Sequence, residues 1–222
     1  MSARQHILNS IRTALKEPFH LPAEPTNDEL PAQIVAAAPK SLEGKIARFK
    51  AELSAIAGEC EQVSTFEQTA VKIAAIMHEA SAGSVAVAGG RLTEQTANEL
   101  RRRGIETISP KEAPEAAGKT TVAEIKIGLV EAAFAVADSG TIAVPFVAGR
   151  STLPHFLPEI VIALVPMTAL VADHFELFQK LTPDERRSML LVTGPSRTAD
   201  IEKILILGAH GPRRLIVLLI GE

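Results

Sequence analysis

Tryptophan and tyrosine are absent from this chain of 222 residues, and Phe occurs only eight times, so aliphatic and alanine side chains must fill the interior. A base-stacking platform for single-stranded nucleic acid is not expected from so few aromatics. Cys60 is the single cysteine. One thiol makes no intrachain disulfide and holds no four-cysteine iron–sulfur cluster; alone it reads as a small buried hydrophobe. A basic face is missing too: the net charge is −3 and the pI near 6.1, against the positive surface that a phosphate-backbone binder requires. The one basic run, Arg101-Arg102-Arg103, falls at the end of a predicted helix, where cations complement the dipole. No apolar run reaches bilayer length, 160–165 being strand-sized, and the N-terminus lacks a secretory apolar core. Membrane insertion is therefore not expected, and a cytoplasmic location is. Spacings such as HxH, HExxH or paired cysteines do not occur, so no metal is assigned, even to Asp173 and His174. Neither GxGxxG nor a P-loop occurs, so no nucleotide cofactor is expected.

Hydrophobic residues at 46% and charged residues at 22% describe an ordinary globular chain with a full core. Ile7, Leu8, Ile11, Ala14 and Leu15 recur at helical spacing, and Pro18, Pro22, Pro25, Pro31 and Pro39 then forbid long regular structure. Residues 1–40 are thus expected to form a helix and a Pro-rich arm, and residues 41–222 a single α/β domain. From residue 42 helical and strand patterns alternate: a helix over 42–57, a strand over 60–63, a helix over 66–80, the strand SVAVA at 84–88, and a helix over 93–103 capped by Thr93. That order predicts a mainly parallel twisted sheet flanked by helices, with ligands gathered beyond the carboxyl ends of the strands. Gly89-Gly90 reads either as a tight strand-to-helix turn or as a loop that lets a ligand approach. A helix is also expected over 169–181.

Two polar corners stand out. Residues 190–220, LLVTGPSRTADIEKILILGAHGPRRLIVLLI, join two apolar strands through turns too rich in Gly, Pro, Ser, Thr and Asp to be regular structure. The first of these turns holds Gly194, Ser196, Arg197, Thr198 and Asp200; were Thr198 or Asp200 to cap a helical turn, free N–H groups beside Arg197 would suit an anion. The second places His210 next to Gly211, where the backbone permits close approach. The other corner is Asp138-Ser139-Gly140-Thr141, between two short apolar runs. Downstream, Arg150 supplies a planar fork for carboxylate or phosphate and His155 a group that titrates near neutrality. For each of these residues a bland role, as a cap, a strand-entry hydrogen bond or a surface ion pair, stands beside the functional one.

The string GPSRTADIE, followed by GAHGPR and a terminal apolar strand, resembles the C-terminal signature of the LUD-domain family. That family is placed in the NagB/RpiA/CoA transferase-like group, with glucosamine-6-phosphate deaminase, ribose-5-phosphate isomerase and the CoA transferases. Where the family turn usually reads acidic-Thr-Gly-Thr, this chain has Ser139, which keeps the hydroxyl and loses the methyl. The resemblance implies a component of the system that oxidises L-lactate to pyruvate, working beside iron–sulfur subunits. In that reading the chain binds a small anion or organises the assembly, with Arg150 and Arg197 holding a carboxylate. The alternative is a self-sufficient phosphosugar isomerase or CoA-transferase-like enzyme, or a binding protein for a phosphorylated or carboxylate small molecule. Asp138 would then be the general base, His155 or His210 a second proton carrier, and the hydroxyl-rich turns the ligand cradle. Glu131 and Glu159 are the other acids near these turns, and neither has Gly-rich neighbours in sequence.

Overall fold

The computed structural model describes residues 3–14, 39–109, 122–147, 150–182, 188–199, 205–207 and 211–221. Most of the Pro-rich arm, residues 110–121, Asp200 and His210 lie outside these residues. The chain separates into two units, Met1–Ala37 and Ala38–Glu222. In the first, helix α1 (Ala3–Ala14) carries Ile7, 58% exposed, and folds the hydroxyls of Ser10 and Thr13 back onto the carbonyls of His6 and Asn9.

The second unit begins with α2 (Leu42–Ala55), whose N-cap Ser41 accepts from the Gly44 N–H. There follow β1 (Glu59–Val63), α3 (Phe66–Glu79), β2 (Ser84–Val87), α4 (Arg91–Arg102), β3 (Glu106–Ile108) and β4 (Ile127–Glu131). A hairpin of β5 (Phe134–Val136) and β6 (Thr141–Pro145) leads to the short α5 (Leu153–Phe156), β7 (Ile160–Pro166) and β8 (Leu170–Val171). After α6 (His174–Lys180) come β9 (Met189–Val192), β10 (Arg197–Ala199), β11 (Leu205–Leu207) and β12 (Arg214–Ile220).

Six strands form one sheet in the order β1-β12-β7-β4-β2-β3, and every pairing is parallel. The expected parallel α/β sheet is therefore present, flanked by helices. Both its faces are covered, which is why its central strands read as continuous apolar runs rather than alternations. Large side chains such as Ile127, Leu129, Ile162 and Leu218 pack one face against α3 and α4. Smaller ones, Val130, Val161, Ala163 and Val217, point the other way. There they meet α2 and a second sheet, β8-β5-β6-β9, whose β5–β6 and β6–β9 pairings are antiparallel. The sequence pattern did not foresee this second sheet. Among the described residues no helix is long and apolar enough to cross a membrane.

Three local expectations need correction. The helix expected over 169–181 is strand β8, then Asp173 as an N-cap accepting from the Glu176 N–H at 2.8 Å, then the shorter α6. Thr93 does not cap α4; that helix starts at Arg91, and its Leu92 N–H donates to Glu131 Oε2 at 2.7 Å, a partner distant in sequence. Thr198 does not cap a helical turn: Arg197–Ala199 pairs antiparallel with Leu205–Leu207, so Thr198 lies in a strand.

Glu176 links α2 to this second sheet, accepting from Lys45 Nζ at 3.0 Å and from the Ala172 N–H at 2.6 Å. Burial alone would raise its pKa, but hydrogen bonds from Lys180, Ala172 and Lys45 outweigh that and bring it down to about 2 from 4.5. Because the folded value is the lower one, the stabilisation is present above pH 4.5 and is lost as the pH falls towards 2. Glu176→Gln should therefore be less stable than the native chain at pH 7, and the gap should close as denaturation midpoints are measured down to pH 2.5. A gap that stays constant would show that the carboxylate does not matter.

Candidate functional site

The hairpin turn between β5 and β6 places Asp138, Ser139 and Gly140 at one end of the second sheet. Antiparallel pairing of Ile142 with Val192 brings the next residues on each strand, Thr141 and Thr193, side by side. Thr141 is 1% exposed, and its Oγ1 lies 2.9 Å from Ser139 Oγ and 2.8 Å from Thr193 Oγ1. The two distant corners thus meet through a chain of hydroxyls. Both also latch onto the end of α2. Gly140 has φ +65, and a Cβ there would come within 2.5 Å of the Leu53 nitrogen; Gly194, with φ +83, packs against Ile56. The Arg197 guanidinium donates to the Ile56 carbonyl, which gives it a structural partner. Asp138 sits beside His174, at 3.6 Å between Oδ1 and Nδ1.

Arg150 and His155 lie towards the opposite end of β6, roughly 13 Å away along the strand at about 3.3 Å per residue. Here α5 crosses the smaller-residue face of the six-stranded sheet directly over Gly128. A Cβ at Gly128 would fall 2.1 Å from the Pro154 carbonyl oxygen, so the glycine is what allows α5 to lie there. That close approach fixes His155. Its Nδ1 is 3.2 Å from the Thr152 carbonyl oxygen. Burial lowers its pKa below the ordinary 6.5, opposed by the Thr152 bond, so the ring is neutral at pH 7. With Nδ1 donating to that carbonyl, Nε2 keeps its lone pair.

His155 and Val144 each line two spaces. One is a chamber of about 220 Å³ between the two sheets, walled by Val130 and Leu215 on one side and by Ile142 and Val192 on the other. Thr193, Gly194, Ser196 and Gly211 edge the same chamber. The second is a recess of about 20 Å³ bordered by Gly89, Glu131, Arg150, Ser151 and Thr152. It lies beyond the carboxyl ends of β2 and β4, where ligands of parallel sheets collect. A Cβ on Gly90 would be 2.5 Å from Glu131 Oε2 and 3.1 Å from Arg150 Nη1, so carboxylate and guanidinium both pack on its bare Cα. Among the described residues the Arg150 guanidinium has no ion-pair partner within 4.0 Å. A guanidinium fork beside two hydroxyls matches the geometry of a carboxylate, and Glu131 offers an acceptor for a neighbouring hydroxyl.

The candidate residues therefore fall into three places. Ser139, Gly140 and Thr141 join Thr193 at the α2 end, with Asp138 facing His174. His155, Gly194, Ser196 and Gly211 edge the apolar chamber. Arg150 stands in the polar recess. Thr198 is described only in its backbone, and Asp200 and His210 not at all. Glu131 was set aside because its own segment is not Gly-rich, yet Gly89 and Gly90 reach it from another loop. Cys60 has its pKa raised to about 11, mainly by burial, so its thiol stays protonated at neutral pH. Among the described residues no three His, Cys, Asp or Glu side chains gather as metal ligands do.

The profile of the LUD domain matches residues 46–220. A lactate utilization protein C from Exiguobacterium sp. is 36% identical over 116 residues, 49% of this chain and 50% of that protein. One from Bacillus pumilus is 26% identical over 171 residues, 72% of this chain and 71% of the other. The uncharacterized protein YkgG of Escherichia coli aligns over the full length of both chains at 26% identity. The match to the Exiguobacterium protein thus spans only half of that relative. Among solved structures, a DUF162 family protein from Deinococcus radiodurans superposes with a TM-score of 0.62 at 19% identity, covering 82% of this chain and all of the other; the likeness is one of fold.

Proposed function

This chain belongs to the LUD domain family, and on that premise we propose that it serves lactate utilization, as a cytoplasmic component that holds a small carboxylate and carries no redox centre of its own. The observation that carries the reading is the recess, where the Arg150 guanidinium lies beside Ser151, Thr152 and Glu131 without a described ion-pair partner. A 2-hydroxy acid complements that set: its carboxylate fits the fork and its hydroxyl faces an acceptor. The name lactate utilization protein C, borne by several relatives, supports the pathway. Since one cysteine cannot hold an iron–sulfur cluster, electrons leaving lactate would pass to iron–sulfur subunits of the same assembly.

The test is a thermal-shift titration of the purified chain with lactate, pyruvate, sugar phosphates and CoA. Lactate or pyruvate should raise the melting temperature saturably, because a ligand at about 100 times its Kd adds about 2.7 kcal/mol. Stabilisation by a sugar phosphate or CoA, with none by either acid, would overturn the reading. Co-purification of an iron–sulfur protein from cells expressing the chain at native level is expected as well. A second reading, an acyl-transfer enzyme of CoA-transferase kind, is favoured by one observation: the Glu131 carboxylate lies against Gly90 at the head of α4. It requires that incubation with acetyl-CoA leave a labelled Glu131 detectable by mass spectrometry.

A further inference from the structure

A three-carbon acid leaves most of this region empty. The recess, at about 20 Å³, admits little more than a carboxylate, since a cavity of roughly 10–15 Å³ holds a single water. Across His155 and Val144 lies a chamber of about 220 Å³, far larger than a lactate methyl requires. Its walls are Val130, Val161 and Leu215 from one sheet and Ile142, Leu190 and Val192 from the other, and among the described residues no charged side chain lines it. Of its polar edges, Thr193 already bonds Thr141. Such walls reject an ionic group, which would lose its hydration without replacement, and favour hydrocarbon. A dry aliphatic cavity of about 150 Å³ takes a six-carbon ring, so this one has room for a longer chain.

We propose that the chain binds a monocarboxylic acid bearing an unbranched aliphatic tail of about four to eight carbons, carboxylate at Arg150 and tail past His155 and Val144 into the chamber between the sheets. The inference rests on the carboxylate reading of the recess and adds the substrate class: an aliphatic 2-hydroxy or 2-oxo acid longer than lactate. His155 stands where head and tail join. Its neutral ring suits that position, because a cation there would meet the aliphatic walls on one side. The apolar character continues outward through Phe156 and Leu191, both exposed and both on the chamber's edge.

Calorimetric titration of the full chain with lactate, 2-hydroxybutanoate, 2-hydroxyhexanoate and 2-hydroxyoctanoate tests this directly. Affinity should rise about three- to fourfold for each added methylene until the chamber is filled. In Val192→Phe, which puts a ring into that space from an outer strand, the gain from lactate to 2-hydroxyoctanoate should collapse to less than about threefold. A flat series in the native chain, with lactate still bound, overturns the inference and leaves the carboxylate reading intact. A rise that Val192→Phe fails to blunt places the tail elsewhere and also overturns it. Absence of binding by every acid, lactate included, overturns both. Should Val192→Phe not fold, the native series decides alone.

Discussion

Arg150→Ala is expected to weaken the binding of lactate or pyruvate by roughly 10- to 100-fold, the range that follows from losing hydrogen bonds to a charged group worth about 1.5–3 kcal/mol. The fold should be nearly indifferent to the change, because no described residue forms an ion pair with this guanidinium, and its contacts with Gly89 and Gly90 are van der Waals ones. A melting temperature within about 2 °C of native would fit a surface-type substitution of this kind. Arg150→Lys should recover only part of the affinity, since an ammonium is a point charge and not a planar fork. Isothermal titration of the three proteins decides the matter. Equal dissociation constants in all of them would remove Arg150 from the site, and the recess with it.

Gly128→Ala should carry the larger structural penalty. In the centre of the sheet β4 lies between β2 and β7, and an added methyl would sit 2.1 Å from the Pro154 carbonyl oxygen and 3.0 Å from Pro158 Cγ. Neither is the far end of a flexible side chain. The backbone of α5 must therefore move, at a cost of about 3 kcal/mol, the upper part of the range for overpacking. For a unit of this size that corresponds to a fall of roughly 6–12 °C in melting temperature. As His155 rides on the same helix, ligand affinity should drop in parallel. A variant that melts with the native chain and binds equally well would mean that α5 does not need this contact.

Strands β2, β7 and β12 were legible because they are buried on both faces, and VAV, IVIALV and LIVLLI leave no alternation to misread. Helices α2 and α3 showed through apolar spacing, and the structure adds local caps at Ser41 and Thr65 that fix where they start. The second sheet was hidden for a physical reason. Its strand β8 has two residues, and Leu170, Leu177 and Leu181 keep a helical spacing across its end, so only the cap bond marks the break. The start of α4 was misread because the group that satisfies its first free N–H is Glu131, well outside any local window. In the candidate site the polar character of each corner showed in the sequence, whereas the contact of Thr141 with Thr193 did not, being set by the register of β6 on β9. Nor did the separation of Asp138 from Arg150, because it depends on β6 running its full length between them.

Strand β12 completes the sheet between β1 and β7 although it is the last strand in chain order. While the polypeptide is still being translated, β1 has no hydrogen-bonding neighbour and one flank of β7 is bare. Both wait for residues 214–220 to leave the ribosome. Synthesis that stops ahead of Arg214 would release a product whose sheet is severed at β7, with two unpaired edges open to aggregation or to proteases. Closure of the six-stranded sheet is in that way tied to translation through residue 220.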